Sequence, residues 1–206
     1  MNESVVKEEN GPQTSSVPQT NNGSQKLLLR SVFTAMFAAL ICAGAFISIP
    51  MPGGVPIVLQ NMLVVLSGIL LGPIQGAAAT GIFLIAGALG LPVFSGGVGG
   101  IAILLGPTGG FLIGYFFAAL VAGLISGSPS AEKKTPIYRI CIAAVAGLLV
   151  IYVPGVLRLQ NVLQATFPKA LSAGMIPFLP GDLIKVVILI PLGIKLKPIM
   201  ARYLFS

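Results

Sequence analysis

Residues 107–126 read PTGGFLIGYFFAALVAGLIS, a run without a single charged side chain. A helix needs about 20 predominantly apolar residues to cross a hydrocarbon core about 30 Å thick. This stretch matches that length, and Pro107 suits the first turn of a helix, where no backbone N–H is required. The reading extends in both directions. Upstream, residues 74–91 (IQGAAATGIFLIAGALGL) follow a Gly72-Pro73 turn, residues 56–71 (PIVLQNMLVVLSGILL) precede it, and an apolar run over 26–49 stops at Pro50 and Pro52. Downstream, residues 136–154 and 181–197 make two further apolar runs, the second carrying Pro191 where a bend is expected. The pattern predicts an all-α membrane protein with about six transmembrane helices.

Composition demands the same solvent. Hydrophobic residues make up 55% of the chain and charged residues 8%, against roughly 25% charged in soluble domains. One bundle over residues 26–206 is expected behind a polar tail, residues 1–25 (MNESVVKEENGPQTSSVPQTNNGSQ), which has almost nothing to bury and reads as disordered. The tail lacks the basic and apolar regions of a secretory signal, so the first span is expected to stay in the mature protein. A glycine-rich stretch at 92–106 and a polar linker at 127–135 separate the runs. Residues 155–180, with Gln160, Asn161 and Gln164, read as too polar to span and are expected to lie at the interface.

Several chemistries are excluded. There is no His, and Cys42 and Cys141 stand far apart inside apolar runs, so neither a zinc site nor a C-x-x-C pair is available and no metal is expected. No G-x-x-x-x-G-K-[ST] loop, G-x-S-x-G elbow or H-E-x-x-H motif occurs, so no catalytic residue is assigned and the chain is not read as an enzyme. The formal charge of +7 is not interleaved with aromatics, which argues against nucleic acid. The cations instead flank the spans. With both termini cytoplasmic, Lys7, Lys26, Arg30, Lys133, Lys134, Arg139, Lys195, Lys197 and Arg202 fall inside and only Arg158 and Lys169 outside, as the positive-inside rule requires. The octets ILLGPIQG (69–76) and ILLGPTGG (103–110) are either a trace of inverted symmetry or two convergent Gly-Pro helix starts.

Beyond the tail the only acids are Glu132, in the linker, and Asp182. Asp182 therefore stands alone in the apolar body, and Lys185 leaves the same helical face one turn later. An ionised group at the bilayer centre costs about 2.5–3.5 kcal/mol on insertion scales, so such residues face a bundle interior or a wet cavity and mark a site. The alternative is that the two only neutralise each other. The preceding PFLP-G exposes a helix start, where a ligand bearing N–H donors and a carboxylate would meet Asp182 and Lys185. Gln60 and Asn61 lie near the same outer face, as do the uncharged loops PMPGGVPIVLQN and PVFSGGVGG. The second carries Phe94, an apolar rest for a ligand body, and Gly96, where backbone can approach closely. On the first helix Ala35, Ala39 and Ala43 form a stripe of small residues suited to close helix packing, internal or with another protein. Gly106, Gly110 and Gly114 make a similar groove, read as internal packing.

The run GLPVFSGGVGGIAILLGPTGGFLIGY, the later PFLPGDLIK and the earlier GAFISIPMPGGVPIVLQNMLVVLSGILLGP together resemble the BioY family, the biotin-specific S-components of energy-coupling factor (ECF) transporters. The resemblance implies the S-component fold and a six-helix subunit of the cell membrane that captures biotin from outside. It implies partnership with a membrane coupling protein (T-component) and a pair of cytoplasmic ATPases, so that ATP serves only the partners and no cofactor is held. It also implies that Asp182 and Lys185 match the family's D-x-x-K ligand positions, and that the alanine stripe faces the coupling protein. Where the family usually has threonine in a PITLQ-like run, this chain has Val58. The alternative function is a stand-alone secondary transporter of a small carboxylate-bearing vitamin, with Asp182 coupling uptake to protons. An assembly subunit without a ligand is a further alternative.

Overall fold

The computed structural model describes residues 22–49, 57–130 and 135–204. The tail up to residue 21, the loop PMPGGVP (50–56), residues 131–134 and the last two residues lie outside that range. The described chain is helical: α1 (Asn22–Ala43), α2 (Gln60–Leu71), α3 (Pro73–Ala88), α4 (Ile101–Leu105), α5 (Gly109–Ser126), α6 (Ile137–Leu163), α7 (Phe167–Gly174) and α8 (Leu179–Leu204). Its one sheet is a short antiparallel pairing of β1 (Ser48–Ile49) with β2 (Ile57–Val58), Ser48 opposite Val58. Residues 22–25, expected in the tail, form the first turn of α1.

Among the described residues, four segments are long and apolar enough to cross a membrane, Gly23–Phe46, Gly109–Ser126, Ile137–Leu163 and Phe167–Tyr203, and α2 and α3 are shorter apolar helices. Large apolar residues such as Ile74, Val153, Leu183 and Val187 are exposed on the outside of the bundle. Such a surface suits lipid, where the helices satisfy their own backbone groups.

Several boundaries differ from expectation: α1 ends at Ala43 and not at residue 49, α8 spans Leu179–Leu204 and not 181–197, and α6 differs most. The helix expected to end at Pro154 continues to Leu163, so residues 155–163 extend α6. Proline removes one hydrogen bond from a helix, but here α5 packs tightly enough on α6 to hold the turn. A Cβ at Gly110 would overlap the Pro154 carbonyl, and one at Gly114 would stand 2.8 Å from the Ile151 carbonyl oxygen. Phe111 in turn fills the space above Gly155. The expectation of internal packing is met by Gly110 and Gly114, whereas Gly106 lies at the end of α4. Gly72, with φ +85°, makes the tight α2–α3 turn, and Pro73 opens α3.

The bundle has two distinct ends. At one, the first turns of α2, α5 and α8 meet the second half of α6. At the other, Lys197 of α8 donates to the Ser126 and Gly127 carbonyls at 2.7 Å each, and Arg139 Nε donates to the Ile125 carbonyl at 2.8 Å. Both cations thus serve the unsatisfied carbonyls that end α5. The Phe33 and Tyr203 rings, 6.5 Å apart, place the start of α1 at this end too.

Candidate ligand site

The first α8 turn carries Asp182, and the helical repeat sets Lys185 beside it, both buried at 6% and 8% exposure. Lys185 Nζ lies 3.0 Å from Asp182 Oδ1. The pair is not isolated. Asn61, on the first turn of α2, accepts from Lys185 Nζ at 2.9 Å through Oδ1 and donates from Nδ2 to Asp182 Oδ1 at 3.2 Å. The Tyr152 hydroxyl of α6 donates to Asp182 Oδ2. Asp182 is the one acid among the described residues, and three helices supply its donors.

This saturation fixes the division of labour. A buried carboxylate is tolerable when paired and hydrogen-bonded, and Asp182 is both. An ammonium has three donors. Two of Lys185's go to Asn61 and Asp182, and one remains.

Lys185 and Asn61 border a cavity, together with Phe111 and Tyr115 of α5, Tyr152 of α6 and Phe178 after α7. Ile57, Val58, Leu148, Ile151 and Gly174 complete its wall. Phe111 and Tyr152 meet edge to face, with centroids 6.4 Å apart. The empty volume, counted out to the open mouth, is about 390 Å³. An aromatic slot with one amine and one amide at its head suits a slender, largely apolar ligand carrying a carboxylate or a carbonyl acceptor. Val58 presents methyl groups to that slot where a threonine would present a hydroxyl.

The other sequence-derived residues have different surroundings. Gln60 is fully buried, and its Nε2 donates to the Ile41 carbonyl at 3.1 Å and to the Val93 carbonyl at 2.9 Å. Phe94 packs edge to face on Phe83, centroids 5.5 Å apart, over Gly87. Gly96 is exposed with φ +81°, and its N–H donates to the Ala45 carbonyl at 3.4 Å. None of these three borders the cavity described above. Ala35, Ala39 and Ala43 are exposed, while Thr34, Phe37, Ala38 and Ile41 turn inward. The sequence did not point to Tyr115, Tyr152 or Phe111. Its signal was a phenol inside an apolar span, since a buried hydroxyl must find a partner.

Comparison with known proteins agrees with this architecture. The BioY family model matches residues 16–202. A protein of Thermotoga maritima named biotin transporter BioY is 43% identical over 162 residues, covering 79% of this chain and 92% of that protein. One of the same name from Rhizobium etli is 40% identical over 180 residues, covering 84% and 93%. A crystal structure of the S-component for biotin from an ECF-type ABC transporter superposes with a TM-score of 0.75 at 28% identity, covering 86% of this chain and 94% of that one. The family model spans nearly the whole helical body, so the chain belongs to the BioY family.

Proposed function

We propose that this chain binds biotin and serves as the substrate-specific subunit of an ECF-type transporter in the cell membrane. One observation carries the reading: the Lys185 ammonium, held from behind by Asp182 and Asn61, borders an aromatic-walled slot with a donor to spare. The ligand's bicyclic body lies between the aromatic walls, and a polar terminus meets Lys185 and Asn61. Asp182, which is not among the residues that border the cavity, acts on the ligand by holding Lys185 and Asn61 in place. Phe94 and Gly96 belong to the outer segment beside this end, and Gln60 ties that segment to α1. The names of the relatives, which are biotin transporters, support the choice of ligand.

The topology is six spans with cytoplasmic termini. Arg139 and Lys197 share the end opposite the ligand site with the start of α1, which supports placing that end inside. The exposed Ala35, Ala39 and Ala43 stripe offers the coupling protein a smooth contact, and ATP is consumed by the partner ATPases.

Thermal unfolding in detergent tests the ligand. Biotin at 100 times its dissociation constant stabilises the native state by about 2.7 kcal/mol, so the melting temperature rises with biotin and not with other vitamins. An equal response to several vitamins, or none to biotin, rejects the reading.

A further inference from the structure

Gln60 and Asn61 are neighbours on the first turn of α2, about 100° apart around the helix, and they serve different parts of the molecule. Asn61 holds the ligand-site pair Lys185 and Asp182. Gln60 faces the other way, where both hydrogens of its amide go to backbone carbonyls, Ile41 near the end of α1 and Val93 in the outer segment. Only the nitrogen can donate twice, so this orientation of the amide is fixed by its partners. Its Oε1 is buried without a hydrogen bond, so Gln60 favours the fold through its two donations and not through its oxygen.

The segment just after α1 is tied to the same region twice more. Leu59 N–H donates to the Ile47 carbonyl at 3.2 Å, and Gly96 N–H to the Ala45 carbonyl at 3.4 Å. Ile41 itself is buried between Ala39 and Ala43, which are exposed. The first turn of α2, which borders the ligand cavity through Asn61, is thus hydrogen-bonded through Gln60 to the part of α1 that carries the exposed stripe.

We propose that Gln60 is a positioning residue that transmits occupancy of the Asn61–Lys185 cavity to the C-terminal end of α1, and through it to a protein seated on the alanine stripe. This link rests on the biotin-binding reading above.

The test compares wild type with Gln60→Met, which keeps length and loses both donors. Equilibrium titration with biotin and amide hydrogen exchange at residues 38–47, with and without biotin, are measured on the purified chain. The expected result is an affinity within about threefold of wild type, with biotin-induced protection at the end of α1 present in wild type and absent in the variant. Biotin uptake in cells supplying the ECF partners is then expected to fall at least fivefold, although binding persists. Should Gln60→Met not fold, Gln60→Asn, which keeps the amide and shortens its reach, is read in the same way. Biotin-induced protection that is unchanged in the variant, or missing in wild type that binds biotin, overturns the link. So does a loss of affinity beyond tenfold, which makes Gln60 a ligand contact. Wild type that binds no biotin rejects the functional reading itself, and the link falls with it.

Discussion

The Tyr152 hydroxyl of α6 donates to Oδ2 of Asp182 on α8, the carboxylate oxygen that Lys185 and Asn61 leave free. The acid is thereby held from both sides, and the amine is presented to the slot. Replacing Tyr152 by Phe removes a hydrogen bond to a charged group, worth about 1.5–3 kcal/mol. Tyr152→Phe is expected to lower thermal stability in detergent and to weaken biotin binding about tenfold, read by melting and by titration of the same preparation. Wild-type values for both would show that Asp182 needs no phenol.

Gly110 and Gly114 let α5 lie against Pro154, and no side chain fits there without backbone movement. Overpacking costs typically 1–3 kcal/mol. Gly110→Val is expected to reach or exceed that range and to reduce the yield of folded protein. Ala78→Val, at an exposed position of α3, is expected to be nearly neutral. Equal stability of the two variants would mean that the α5–α6 contact is looser than described.

Lys197, only 3% exposed, closes the opposite end through its bonds to Ser126 and Gly127. Lys197→Met fills similar space but leaves those carbonyls one donor short. A loss of about 1–3 kcal/mol is expected, with biotin affinity unchanged because the site is at the other end. Melting with and without biotin separates the two effects, and a selective loss of affinity would contradict this division of the bundle.

The exposed stripe on α1 makes a different forecast. Ala39→Leu adds bulk where no internal neighbour is crowded, so the purified chain is expected to bind biotin as wild type does. Recovery of the coupling protein with the tagged chain is expected to fall at least fivefold, because small-residue stripes act through close backbone approach. Unchanged recovery would move the contact elsewhere.

Apolar runs, the Gly72-Pro73 turn and the lone Asp182 were legible because each is a departure in composition that lipid explains. The course of α6 beyond Pro154 was not, since it depends on glycines of another helix. Nor was the direction of the α2 amides. Gln60 and Asn61 are adjacent and equally polar, and only the tertiary fold sends one toward α1 and the other toward Lys185. Tyr152 did not stand out, because a phenol in an apolar span resembles any other aromatic until its partner is known. The slot itself is built from aromatics of α5, α6 and the turn after α7, which no local pattern joins.

Equilibrium binding of labelled biotin to the purified chain, without partners, addresses Lys185 directly. Saturable binding at a single site is expected, weakened at least tenfold by Lys185→Ala, about 1.4 kcal/mol or more. Retention of wild-type affinity in folded Lys185→Ala, or the absence of saturable binding in wild type, would contradict the placement of the ligand against that amine.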